Sequence, residues 1–254
     1  MTDDAREIGR VRNPVLIISA VTWLLLLAEP VSTPLFAHCP AIVNGTMPAF
    51  ASFQMQLAMS SPLSLAVGWA LMLVAMMSPA LISPIQHVRM QSFTNRRLRS
   101  IGLFLAGYAL LWMALGGVIL TIGLAIRVFA YQSYLPAVAT FLVAILWQFS
   151  PIKQRCLNRC HAHTPLAAFG LTADIDAFRF GFTQGGWCAG SCWALMLFPM
   201  LLPQGHVVAM AIVTLVIFSE RLEQPRPLSW RWRGSGKAIR ILIAQARIYL
   251  EPIR

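Results

Sequence analysis

Charge is scarce in this chain, and acidic charge scarcest: nine Asp and Glu stand against twenty Lys and Arg, so that 11% of the 254 residues are charged while 57% are hydrophobic. With a mean hydropathy of +0.66, that balance excludes an ordinary soluble domain, in which about a quarter of residues are charged. A Walker phosphate loop, a dinucleotide glycine pattern and a nucleophile elbow are also missing, which removes the usual ATPase, dehydrogenase and hydrolase readings. Ionisable groups are absent from the middle of the apolar runs. Glu29 and Glu220 fall near helix ends and Gln148 and Gln184 are neutral, a pattern unlike that of a proton-driven pump. No internal repeat or low-complexity tract interrupts the chain.

What is present is length of apolar run. Stretches able to cross a hydrocarbon core at about 1.5 Å per residue begin at Val15, Pro62, Ser100, Tyr134, Gly181 and Pro203, the fourth and sixth being short. The sequence thus predicts an all-α membrane bundle of about six spans over residues 1–224, then a basic tail over 225–254. The net charge of +11 reports topology rather than nucleic-acid binding, because no soluble module gathers it into a face. Arg6, Arg10 and Arg12 precede the first run. Arg89, Arg96, Arg97 and Arg99 follow the second, and Lys153, Arg155, Arg159 and Arg179 separate the fourth from the fifth. Eight more follow the last, from Arg221 to Arg254. The alternate segments hold only Arg127, so the positive-inside rule places both termini in the cytoplasm of a bacterial inner-membrane protein. The first run reads as a retained span: Leu35-Phe36-Ala37 is a poor cleavage site because Leu35 is too large.

Pro14 suits the start of the first helix, Glu29-Pro30 its end, and Pro79 and Pro84 the inner end of the second. Glycines at 102, 107, 116, 117 and 123 suit close packing of the third span. In the tail, Trp230-Arg231-Trp232-Arg233 precedes an apolar stretch with Lys237, Arg240 and Arg247 at near-helical spacing, the pattern of an interfacial amphipathic helix.

Sulfur carries the chemistry. Cys188, Cys192, Met196 and Met200 recur every fourth residue and fall on one face of a helix. Met72 and Met76 repeat the device on the second span. The two spans run in opposite directions, and Met76 and Cys188 each lie about seven residues from the cytoplasmic end, Met72 and Cys192 about eleven. Thiolate and thioether are the soft donors that select Cu(I), with zinc ranking behind. The same residues serve equally as adaptable core filler.

A second cluster, Cys156, Cys160, His161 and His163, lies in a segment expected to be cytoplasmic. If the fourth helix continues through it, Cys156, Cys160 and His163 share a stripe, and Lys153, Arg155 and Arg159 favour thiolate there. On the outer side, His38 and Cys39, with Met47, Met55 and Met59, form a scattered set where copper could arrive. His206 lies in the outer turn near Met200, and His87 suits the interface.

Trp69 to Pro79, Gly107-Tyr108 to Trp112, Lys153 to Cys160 and Gly185 to Met196 together resemble a bacterial family of predicted metal-binding integral membrane proteins. The family's motifs look like Ala75-Met76-Met77-Ser78-Pro79, the Lys153 to Cys160 segment, the Cys188 to Met196 segment and Glu220-Arg221. Ser191 stands where a cysteine is expected, and Ser78 intervenes before Pro79. The resemblance implies metal binding and names no reaction.

The leading expectation is therefore a membrane metal-handling protein that binds or relays Cu(I) on the second and fifth spans, or assists assembly of a membrane metalloenzyme. A thiol–disulfide oxidoreductase using Cys188/Cys192 or Cys156/Cys160 is the enzymatic alternative, although cysteines four apart on an intact helix are awkwardly placed to bridge. A scaffold subunit is the third. The expected partners are the lipid bilayer and other membrane subunits or a metal-dependent enzyme, with no nucleic acid and no nucleotide.

Overall fold

The computed structural model describes residues 3–28, 62–129, 134–202 and 205–231, together with 236, 237, 240, 241, 243 and 244 of the tail. His38, Cys39, Met47, Met55 and Met59, and most of the expected interfacial helix, lie outside the described residues. Those residues form helices only, and no strand is found among them. Helix α1 spans Asp3–Ala28 and α2 spans Pro62–Met77. A 3-10 turn, Ser78–Leu81, leads into α3, Ile82–Gln91, and a second, Thr94–Arg96, into α4, Arg97–Phe129. Then come α5 (Leu135–Phe149), α6 (Pro151–Cys160), α7 (Gly170–Leu201) and α8 (His206–Leu222).

Among the described residues three segments are long and apolar enough to cross a membrane: Gly9–Ala28, Leu65–Gln91 and Thr94–Gly123. The bent pair α5–α6 would make a fourth. The expected fifth and sixth runs are helical, but α7 opens on the polar Thr172, Asp174, Asp176 and Arg179, and α8 has 17 residues. Prolines punctuate these helices less than expected. Pro14 lies inside α1, which already begins at Asp3, and Pro79 tightens one turn before the rod resumes as α3. A proline costs one intrahelical hydrogen bond, and packing on either side outweighs that loss.

The tightest helix pair is α4 with α7, and glycine is the reason. A Cβ at Gly181 would come 2.0 Å from the Phe104 carbonyl oxygen, and one at Gly107 would come 2.3 Å from that of Phe178. The backbones therefore touch where no side chain intervenes. The order of these contacts, Gly107 on Phe178 and Phe104 on Gly181, shows that the two helices run antiparallel. Gly116 makes room for the Trp69 indole, whose Nε1 donates to Trp112 O at 3.0 Å. Gly102, Gly117 and Gly123 meet nothing, so only part of the glycine pattern is packing. Helix α1 docks on α2 through Ser19 Oγ and Trp23 Nε1, which both donate to Ala75 O, at 2.9 and 3.1 Å.

Also antiparallel to α7, α5 sets Phe141 against Phe198, while Trp147 Nε1 donates to Gly190 O at 3.1 Å. Ser150-Pro151 then ends α5. The Ser150 hydroxyl accepts from Ile152 N and Pro151 takes the first turn of α6, so the local chemistry that stops one helix caps the next. The chain bends by 68° there, which lays α6 against α7. At the start of α7, Asp174 bridges Arg96 and Arg99, at 2.7 and 2.6 Å.

Candidate functional site

Helix α6 buries Lys153, Gln154, Cys156, Leu157 and Cys160, a stripe at helical spacing. The two cysteines therefore point into the protein, not into a solvated loop. Cys156 is accommodated by Gly190 of α7, where a Cβ would fall 2.8 Å from its Sγ. Gln184 of α7 donates to the Cys160 carbonyl at 2.9 Å. The polar face of the same helix grips the chain beyond α8. Gln154 donates to Arg231 O and accepts from Ser229 N, both at 2.9 Å, and Asn158 makes a reciprocal pair with the Arg226 backbone, at 2.6 and 3.2 Å.

The expected sulfur stripe is buried in one continuous core: Met72 and Met76 on α2, Cys188, Cys192 and Met196 on α7, joined by Met77 and by Met210 of α8. The α2 sulfur that meets α7 belongs to Met77, whose Sδ lies 3.9 Å from Cys188 Sγ. Met77 thus joins the expected set, with Met76 buried in the same core. Helix α2 packs mainly on α1, α4 and α8, so α4 reaches into the gap, and the Tyr108 hydroxyl donates to Cys188 Sγ at 3.3 Å. Cys192 Sγ donates to Cys188 O at 3.0 Å, and the two thiols interact with each other. Among the described residues no three His, Cys, Asp or Glu side chains converge as a metal group; sulfur is supplied here as neighbouring pairs.

Two charged features involve Glu220-Arg221, a segment that already carries part of the family resemblance. The first is a buried pair at helix ends, where the sequence places Glu220. Lys153 and Glu220 form an ion pair at 2.8 Å with side chains 1% and 4% exposed. Gln148 Nε2 donates to Glu220 Oε1 at 2.7 Å, and Lys153 Nζ also bonds Gln148 Oε1. The signal was Glu220 itself, an acid at the end of an apolar run, with a lysine as the only buried base on α6. The second feature is Arg221. Its guanidinium lies close enough to the Cys188 and Cys160 thiols to interact with both, and is within electrostatic reach of Tyr108 and Cys192. Cys160 on one side and Cys188 and Cys192 on the other are therefore within electrostatic reach of Arg221.

His161 caps the end of α6, while His163 goes elsewhere. His163 lies beyond the end of α6, its ring stacked on His87 of α3 at 4.7 Å and bonded to Ser83 Oγ at 3.2 Å. His87 Nε2 meets Thr164 O at 2.9 Å. Partial burial, and then the neighbouring His87, push the His163 imidazole below its ordinary range. A base whose folded pKa is depressed carries no penalty above its unfolded value; stability is lost as pH falls below that value. Acidification is expected to loosen the segment 161–169 from α3. Protection factors there, corrected for the intrinsic pH dependence of amide exchange, should fall as pH drops from about 7 to 5 in the wild type and much less in His163→Phe.

These observations define a class: an apolar helical bundle that buries soft sulfur donors beside a fixed cation. Residues 66–243 match the profile of the PpoB2 family, described as copper chaperone, and the chain belongs to that copper-chaperone family. Neither the curated proteins nor the solved structures contain a match.

Proposed function

We propose that this protein is a multi-pass inner-membrane carrier that holds Cu(I) as cargo between thiol and thioether sulfurs and passes it to a copper-requiring partner. The observation that carries this reading is the 3.9 Å approach of Met77 Sδ to Cys188 Sγ, with Cys192 one turn along, in a chain of a copper-chaperone family. Cu(I) is soft and is selected by thiolate and thioether donors. Met196 stands one helical turn beyond Cys192, so an ion moves by exchanging sulfurs about 6 Å apart in rise. Support for the membrane comes from the apolar faces that stay uncovered: Ile17, Leu24 and Leu27 on α1 and Leu135, Leu142 and Leu146 on α5 are all exposed. Arg96, Arg97 and Arg99 precede or open α4, while Lys153, Arg155 and Arg159 lie on α6, a distribution that suits the cytoplasmic face.

The test is copper content and Cu K-edge absorption of protein purified anaerobically under reduction. Wild-type protein is expected to retain copper in an all-sulfur shell. Cys188→Ser should lose it, since a hydroxyl is a harder donor, and Met77→Leu should weaken it more than Met72→Leu does, at similar volume. Full copper retention in Cys188→Ser and Met77→Leu together would return these sulfurs to core packing. Orientation is tested separately: an impermeant thiol reagent applied to intact cells should label Cys39, and absence of that label, with Cys39 labelled after the cells are opened, would overturn the orientation.

A further inference from the structure

A phenol reaches into the sulfur core, and neither helix packing nor the donor set by itself calls for one. Tyr108 of α4 is 3% exposed, and its ring is flanked by those of Phe104 and Trp112, each 6.4 Å away between centroids. Gly185 lets α4 come this near to α7: a Cβ there would stand 3.4 Å from Tyr108 O and 3.2 Å from the Leu111 side chain. One turn along α4, Trp112 O accepts from Trp69 Nε1 of α2 at 3.0 Å. Tyr108 thus stands where α2, α4 and α7 meet, on a backbone held from both sides. Its hydroxyl donates to Cys188 Sγ at 3.3 Å, while the Cys188 thiol donates to Met77 Sδ at 3.9 Å. The two bonds divide the sulfur between them: a lone pair takes the phenol, and the S–H points at the thioether.

A neutral thiol is a weak acceptor, and phenylalanine would fill the same space with no polar group to satisfy. The hydrogen bond becomes strong only when its acceptor carries charge. We propose that Tyr108 is a positioning residue for the cargo ion: it holds Cys188 Sγ with its S–H toward Met77 Sδ and stabilises that sulfur once it is a thiolate. This rests on the copper-cargo reading above. When Cu(I) binds, the Cys188 S–H bond breaks and its proton leaves for water, while one bond forms from copper to Cys188 Sγ and one to Met77 Sδ. One thiolate and one thioether around Cu(I) carry no net charge, so the apolar interior is left without a charge to solvate. Tyr108 keeps its proton and touches the sulfur, not the ion. Because its hydrogen bond is stronger to the thiolate than to the thiol, it favours the loaded state over the empty one.

The experiment uses full-length reduced protein in lipid nanodiscs under argon and has two arms. In the first, Cu(I) is titrated against a competing chelator. Tyr108→Phe keeps the ring and should lower Cu(I) affinity about tenfold, the difference between a hydrogen bond to a charged acceptor and one to a neutral acceptor. In the second, the metal-free protein is followed through its S–H stretching bands in the infrared. The Cys188 band, assigned by its loss in Cys188→Ser, should move in Tyr108→Phe while those of Cys156 and Cys160 stay; a tyrosine that only filled space would move none of them. Should Tyr108→Phe fail to fold, the unaltered sequence carrying 3-fluorotyrosine, a stronger phenol donor, should bind Cu(I) more tightly than the ordinary protein, and equal affinity of the two overturns the proposal. Equal affinity of wild type and Tyr108→Phe, or an unmoved Cys188 band, overturns the role of Tyr108 while leaving the copper reading intact. A wild type that binds no Cu(I) overturns the copper reading and this proposal with it.

Discussion

Lys153→Met is expected to destabilise the folded protein by about 3–5 kcal/mol, because it strands the Glu220 carboxylate in a site shielded from water. Glu220→Met should cost a similar amount by stranding the lysine. The double substitution is expected to recover most of the loss, since apolar side chains of similar volume replace a pair whose attraction barely exceeds its desolvation. Equilibrium unfolding of the three variants in mixed micelles measures the coupling. A simple sum of the two single losses in the double variant would show that the residues act independently, against the 2.8 Å geometry. The pair also ties α6 to α8, so either single substitution should make Cys156 and Cys160, now buried, react faster with thiol reagents.

Gly181→Ala is the second large effect. The added methyl would stand 2.0 Å from Phe104 O and 2.8 Å from Phe104 C. Both are backbone atoms, so no rotamer change relieves the clash, and α4 must move away from α7. A loss of about 3 kcal/mol, the upper end of overpacking, is expected. Gly186→Ala, in the same helix but with nothing near the new Cβ, should instead be neutral or slightly stabilising, because alanine suits a helix better. Since Tyr108 follows Phe104 by one turn and bonds Cys188, a shift of α4 should also weaken copper retention in Gly181→Ala and leave it unchanged in Gly186→Ala. Equal stability of the two variants would mean that α4 and α7 do not meet through glycine.

Much of the site was readable because periodicity is local. The four-residue recurrence of Cys188, Cys192 and Met196 places them on one face of any helix that forms, and all three are buried in a single core. The contact between helices was not readable: equal depth along antiparallel spans brings α2 and α7 sulfurs to one level, but only packing shows that Met77 Sδ comes within 3.9 Å of Cys188 Sγ. His163 shows the opposite limit. Helix α6 stops at Cys160, and three further residues are enough to carry His163 across to His87 on α3.

Composition and residue order by themselves determined the helical architecture, the apolar runs and the spacing of the arginines along the chain, since hydropathy and charge distribution are sums over residues and need no contacts. Only the tertiary structure decided the rest. The capped break at Ser150-Pro151 is local, but its consequence is not: the 68° bend puts a nominal loop cluster against the buried stripe. Lys153 and Glu220 are 67 positions apart, and Arg221 and Cys188 are on different helices. An ion pair is a relation between distant segments, and its energy exists only once packing has removed the water around it.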